Sequence, residues 1–254
     1  MIKRETKLFL TALVFYTRIP VRRKMEYSRE ILNNSSRYFT LVGILVGGVA
    51  AGMFMLFSFS GSIPVAVLCS MISTILLTGA FHEDGLADSF DGFGGGYSRK
   101  EKLRIMKDSR IGTYGALTLT LSLALKFFLI QEIPSVDIPW ILVMAHALSR
   151  LNPILLMYTS VYVRFDEGGK AKDVGERGPA INLVIAFLPA LLPLFFINWL
   201  LIPFILAALL LLLVFFRAFI HRRIQGYTGD LLGALQQLSE LSIYMIIVFI
   251  NHLL

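Results

Sequence analysis

Charge is scarce in this chain: of 254 residues only 16% are Asp, Glu, Lys or Arg, where soluble domains carry roughly a quarter. A single Cys excludes a disulfide framework and a cysteine-based zinc site. The segment Met1–Pro20 has no small-residue cleavage site after its apolar run, which argues against a secretory signal. What the chain does have is hydrophobic bulk: 56% hydrophobic residues, 20 Phe and a mean hydropathy of +0.71. That excludes disorder and predicts an integral membrane protein, all-α, folded as one domain over residues 1–254.

A bilayer crossing needs about 20 mostly apolar residues. Candidate spans are Tyr38–Ser60, Ile63–Phe81, Ile111–Ile130, Ile138–Val163, Pro179–Trp199, Pro203–Ile220 and a short Leu241–Leu254, about seven in all. Leu8–Ile19 is short and flanked by Lys3, Arg4, Lys7, Arg18, Arg22, Arg23 and Lys24, which predicts an interfacial or re-entrant helix. Of the 24 Lys and Arg, 21 fall outside the spans, in alternate loops, and Arg217 lies at the end of its span beside Arg222 and Arg223; Gly61–Ser62, Gln131–Asp137 and Leu200–Ile202 have none. By the positive-inside rule the basic loops face the cytoplasm, giving a multi-pass protein of the cell (inner) membrane. The net charge of +7 is thus accounted for by topology, and with no aromatic stacking platform beside the cations a nucleic-acid partner is not expected. Membrane lipid is the expected surrounding, and the oligomeric state stays open, a homo-oligomer included.

The unusual segment follows the second span: TGAFHEDGLADSFDGFGGGYSRKEKLRIMKDSRIGTYG, Thr78–Gly115. On a helix, Asp84, Asp88 and Asp91 at i, i+4 and i+7 share one face. Like charges so stacked repel, and no Lys or Arg interleaves them between Phe81 and Tyr97. A hard divalent cation removes the conflict, and Mg²⁺ suits carboxylates combined with phosphate oxygens and water. His82 lacks the partner histidines of a zinc site. The run Gly92-Phe93-Gly94-Gly95-Gly96 predicts a sharp turn or a backbone approach to an anion. Ser98-Arg99-Lys100-Glu101 reads as a capping box opening a basic helix, which delivers Lys107, Asp108 and Arg110 to the point where the chain re-enters the membrane.

Two further places carry polar groups where they are costly. Arg150 lies mid-span, one turn after His146, and is expected to face a polar cavity or pair with a carboxylate. Asp230, Gly233, Gln237 and Glu240 share one face of an otherwise apolar helix, with Asp230 expected to aid metal ligation or substrate binding. Lys126 is expected to snorkel from the outer end of its span.

Carboxylates, glycines and cations gathered at one membrane face suit metal-assisted phosphoryl transfer, with one carboxylate accepting a hydroxyl proton. There is no Walker loop and no Ser/Cys–His constellation, which argues against nucleoside triphosphate hydrolysis and covalent catalysis.

The blocks HEDGLADSFDGFGGG and IMKDSRIGTYG, with FYTRIPV at Phe15–Val21, the Ser149-Arg150 pair and GYTGDLLGA at Gly226–Ala234, resemble the cobalamin synthase (adenosylcobinamide-GDP ribazoletransferase) family, in the same order over nearly the whole chain. The family usually has an apolar residue at the position of Glu83, and the loop Arg164–Gly178 fits it loosely. The resemblance implies a Mg²⁺-dependent membrane enzyme joining adenosylcobinamide-GDP to α-ribazole or its 5′-phosphate, with release of GMP. It implies that Asp84, Asp88 and Asp91 hold metal and diphosphate, that Asp108 or Asp230 completes the shell or acts as base, and that Lys107, Arg110 and Arg150 neutralise phosphate beside Gly92, Gly94 and Gly95. CDP-alcohol phosphotransferases share Asp88-x-x-Asp91-Gly92, but Gly95-Gly96, Ser109 and Thr113 stand where their remaining signature residues belong. A cation transporter would need acids near the bilayer centre and discontinuous helices, whereas these acids cluster at its edge.

Overall fold

The computed structural model describes residues 2–21, 28–163 and 178–253. Arg22, Arg23 and Lys24, and all of the Arg164–Gly178 loop except Gly178, lie outside the described residues. Among the described residues there is no β-strand, only an isolated bridge between Tyr162 and Tyr227.

The helices are α1 (Ile2–Tyr16), α2 (Arg29–Ser35), α3 (Phe39–Ser58), α4 (Ile63–Thr78), α5 (Phe81–Gly95), α6 (Arg99–Met106), α7 (Thr113–Gln131), α8 (Ile138–Leu148), α9 (Leu151–Thr159), α10 (Ile181–Leu191), α11 (Ile202–Ile224) and α12 (Gly229–Leu253). Among the described residues, five helical runs are long and apolar enough to cross a membrane: Glu30–Ser58, Thr113–Gln131, Ile138–Thr159, Trp199–Ile224 and Gly229–Leu253. The count rises to six if α4 and α5 are one broken span, and 181–196 forms a shorter apolar helix. The polar segment after Gly226 and the expected short last span are one helix of 25 residues, so Asp230 sits on the first turn of a span.

The bundle is built on α3, which carries small residues where α8 crosses it. A Cβ on Gly43 would lie 2.4 Å from the His146 carbonyl oxygen, and one on Gly47 2.6 Å from the Val143 Cα. These two glycines let the backbones meet, while Gly48 and Gly52 face open space. Phe54, Leu142, Leu148, Ile205 and Tyr244 fill the core between α3, α8, α11 and α12. Outward faces of α7 and α11 expose Leu117, Leu121, Phe128, Leu210, Leu211 and Phe215, an apolar surface that lipid would cover.

The decisive local feature is the elbow after α4. The helix ends at Gly79 in the left-handed region (φ 69°), and Ala80 follows in the same region at φ 59°. Two successive left-handed residues stop the helix and turn α5 by 85° from α4. The turn is held from outside, since the Arg18 N–H donates to the Leu77 carbonyl at 2.7 Å. The Arg18 guanidinium occupies the space a Cβ on Gly79 would need.

Candidate active site

Because α5 leaves the elbow as a regular helix, its acids separate by face. Asp84 is exposed and Asp88 half-buried, while Asp91 is buried. Glu83 turns the other way, into the interior, where its Oε1 accepts from Gln237 Nε2 at 3.1 Å, so it is no part of the acidic edge. Asp91 has a specific partner. Its Oδ2 accepts from the Gly112 N–H at 2.7 Å and its Oδ1 from the Gly115 N–H at 2.8 Å. These are orphan donors at the start of α7, which a carboxylate satisfies well. Neither glycine tolerates a side chain, because a Cβ would come within 2.4 Å of the carboxylate at Gly112 and 2.3 Å at Gly115. Asp91 therefore joins the acidic helix to the next span.

Asp230 reaches the same edge through Gly85. A Cβ on Gly85 would lie 2.7 Å from the Asp230 carbonyl oxygen and 3.0 Å from its Cα, so α12 begins directly against α5. Gly233, one turn on, rests on the backbone of His82 and Gly85. The third contributor, Asp108, is paired with Arg110: Nε to Oδ1 at 3.0 Å and Nη2 to Oδ2 at 2.7 Å. That bidentate contact holds the exposed Asp108 carboxyl down at about 2. Asp88 behaves oppositely. Partial burial, and then the charges of Asp84, Asp230, Asp91 and Asp108, push its carboxyl up to about 7. Asp88 thus feels four other carboxylates at this edge of the bundle.

Among the described residues no three His, Cys, Asp or Glu side chains are placed to hold a metal ion by themselves. The donor set of Asp84, Asp88 and Asp230 is nonetheless hard oxygen only, partly open and mutually repulsive. Such a set would fit Mg²⁺ only with phosphate oxygens and water supplying the other ligands.

The glycine run corrects one expectation. It forms no anion-cradling loop or turn, because α5 continues through Gly95 and the N–H groups serve the helix. The missing side chains make room instead: a Cβ on Gly92 would strike Met106 at 2.5 Å, and one on Gly94 the Tyr114 ring at 2.5 Å. Gly95 lies against Ile105. Past the run, Ser98 and Glu101 form the expected capping box. The helix it opens ends beside Lys107, which is exposed, as is Arg110.

Beneath the edge lies a buried polar network. The Lys126 ammonium contacts Glu240 Oε1, and His146 Nε2 stands 3.6 Å from the same oxygen. Tyr244 donates to it at 3.2 Å. Gln236 Nε2 donates to Glu240 Oε2 at 3.0 Å and to Ser149 Oγ at 3.0 Å, and Gln237 links Gln236 to Glu83. Lys126 therefore does not snorkel; at 4% exposure it is an interior residue. Arg150 is fully buried rather than at the acidic edge. It donates to the His146 carbonyl and lies over the Phe39 ring, 5.2 Å from its centroid. The sequence pattern misplaces Lys126 and does not single out Gln236, Gly85, Gly112 or Gly115. The readable signal for Lys126 was one Lys alone in an apolar helix and one Glu deep in another, which must find each other in lipid.

On the other side of the α5–α12 crossing a cavity of about 1270 Å³ opens between α1, α2, α5, α9 and α12. Phe81 and His82 of α5 and Gly229 and Gly233 of α12 form the wall nearest the acids. Tyr16 stacks on Phe39 in its floor at 4.1 Å, and His82 lies parallel to Phe39 at 5.6 Å.

The family model described as cobalamin-5-phosphate synthase matches residues 8–248. The chain belongs to this family. Curated relatives carry the name adenosylcobinamide-GDP ribazoletransferase. One from Shewanella amazonensis is 45% identical, over 98% of this chain and 97% of its own. One from Shewanella baltica is 42% identical, over 99% and 97%, and one from Vibrio cholerae 40%, over 99% and 97%. No solved structure matches. All five cobalamin-5-phosphate synthase blocks read in the sequence contribute to the edge, the network or the cavity. FYTRIPV supplies Tyr16 and Arg18, HEDGLADSFDGFGGG the acidic helix, and IMKDSRIGTYG the Asp108–Arg110 pair and the Asp91 cap. Ser149-Arg150 and GYTGDLLGA complete the set.

Proposed function

We propose that the protein transfers the adenosylcobinamide phosphate group from adenosylcobinamide-GDP to α-ribazole or its 5′-phosphate, releasing GMP and forming adenosylcobalamin or its 5′-phosphate. The observation that carries this reading is the packing of the Asp230 backbone on Gly85 of the acidic helix, which brings Asp230 within electrostatic reach of Asp84 and Asp88, in a chain of the cobalamin-5-phosphate synthase family. The ribose hydroxyl oxygen attacks the phosphorus on the cobinamide side, a new P–O bond forms, and the P–O bond to GMP breaks.

Asp84 and Asp88 would hold Mg²⁺ together with diphosphate oxygens and water, and the bound ion supplies charge neutralisation at the reacting phosphorus and on the departing GMP. Asp230 takes the hydroxyl proton, since Asp108 is held at about 2 by Arg110 and is too weak a base. Arg110 and Lys107 lie at the exposed margin, where they meet the guanosine diphosphate. Asp91 positions the helix rather than touching the reacting atoms. Arg150 supports the cavity floor through Phe39.

In the cell the protein lies in the inner membrane with the acidic edge on the cytoplasmic side, which the distribution of Lys and Arg supports. On this placement α1 rests at the interface, and α4 and 181–196 complete seven crossings.

The test is purified protein in liposomes with Mg²⁺, adenosylcobinamide-GDP and α-ribazole. Stoichiometric GMP and cobalamin are expected, and Asp88→Asn should lower turnover at least 100-fold while membrane insertion is retained. No GMP from the wild type, or near-normal turnover of Asp88→Asn, rejects the reading.

A further inference from the structure

The aromatic cavity adjoins the acidic edge but contains none of its carboxylates. The wall nearest the acids is made by Phe81, His82, Gly229 and Gly233; Asp84 lies two residues past His82 and Asp230 directly follows Gly229. A ligand in the cavity therefore has its reactive end one helix crossing away from the acids. We infer that this cavity seats the corrinoid macrocycle of the donor, leaving its phosphate arm to cross between Phe81 and Gly229 onto the acidic edge; the inference rests on the transferase reading above.

Size decides between the two substrates. Drug-sized ligands fill pockets of roughly 300–1000 Å³, and the cavity, at about 1270 Å³, exceeds that range. α-Ribazole is a nucleoside-sized molecule that would leave most of it empty. A corrinoid, a broad macrocycle fringed with amide groups, is the one substrate part larger than a drug-sized molecule.

The lining chemistry agrees. The floor and walls present rings: Tyr16, Phe39, Phe81, Tyr162 and Tyr227, suited to the flat, largely apolar faces of a macrocycle. Polar groups are amides and hydroxyls, with Asn33 and Asn34 on α2 and Tyr158 opposite, which match a fringe of neutral carboxamides. The charged lining residues, Arg4 and Glu30, are one of each sign and both exposed. A diphosphate would need a cluster of cations, and among the described residues the cavity lining offers none.

Gly229 gives a direct handle. It lines the cavity, and a Cβ there meets nothing within 4 Å, so a large side chain would enter the open space rather than displace protein. Adenosylcobinamide, the donor without its nucleotide, is the probe. It should bind the wild-type protein by equilibrium dialysis in EDTA, and inhibit competitively against adenosylcobinamide-GDP but not against α-ribazole. Gly229→Trp should weaken that binding and raise KM for the donor tenfold or more, leaving KM for α-ribazole within twofold. Leu232→Phe, a smaller insertion on the same wall, carries the same expectation if the tryptophan variant does not fold.

A rise in KM for α-ribazole alone would assign the cavity to the acceptor and overturn the inference, as would no change in either constant. Failure of the wild type to release GMP strikes the transferase reading instead. Dialysis with adenosylcobinamide still reports on the cavity in that case.

Discussion

The Lys126 ammonium is paired with the Glu240 carboxylate in the interior of the bundle, joining α7 to α12, with neither side chain more than 5% exposed. Each charge is expensive alone in an apolar interior. Glu240 is further held by Gln236 and Tyr244, and Gln237 carries the connection to Glu83 on α5. The acidic helix is thus tied from below to two membrane-spanning helices.

Removing one partner leaves the other unpaired. Lys126→Met or Glu240→Gln should each destabilise the protein by about 3–5 kcal/mol. The double variant Lys126→Met/Glu240→Gln should lose clearly less than the sum of the two. Melting in detergent, assembled as a double-mutant cycle, checks this; additive losses would show that the pair is not coupled.

Asp91 caps α7 through two glycine N–H groups. Asp91→Ala should cost about 1–2 kcal/mol as a lost cap and should also lower turnover, by shifting α5 against α7. Gly115→Ala should do the same, because its methyl group would occupy the carboxylate's place. Melting temperature and GMP release on the same preparations test both; a Gly115→Ala protein with wild-type values would contradict the geometry.

Asp88 sets a pH dependence. Its carboxyl is raised in the folded protein from the ordinary 3.8 to about 7. The folded state therefore holds this proton more tightly than the unfolded chain. The associated stability is fully present below about pH 4 and is lost as pH rises through about 7. In EDTA the melting temperature should fall between pH 5 and pH 8, and Asp88→Asn should flatten that fall. Added Mg²⁺ should raise the melting temperature more at pH 8 than at pH 5. Equal Mg²⁺ effects at both pH values would count against a cation site at Asp88.

The elbow contains a non-glycine residue in the left-handed region, Ala80 at φ 59°. Ala80→Gly should stabilise the protein by about 1 kcal/mol by relieving that conformation, partly offset by glycine's greater freedom when unfolded. Ala80→Val should destabilise it. Thermal melting of the two variants gives the comparison, and a Val variant as stable as the wild type would argue against the turn.

Much of this was legible from spacing. The period of Asp84, Asp88 and Asp91 predicts one helix, and one helix forms; Ser98 and Glu101 predict a capping box, and both of its bonds are present. Spacing within a helix says nothing, however, about which flanking helix supplies the partners. Asp91 looked equivalent to Asp88 until α7 placed two N–H groups against it. Glycines carry a similar ambiguity: the clustered run predicts a turn or an anion contact, and it instead makes room for the side chains of Met106 and Tyr114. Lys126 was misplaced because its depth depends on helix tilt and on Glu240, which is far away in sequence. Span counting was least certain where apolar helices are short, at α4 and at 181–196.

The link between Glu83 and Gln237 joins positions 154 residues apart, and its far end lies on the last helix of the chain. The 25 residues of that helix are made after every acid of the early segment. Synthesis order therefore leaves the acidic helix without Asp230 and without its buried support until α12 has been made and packed against it.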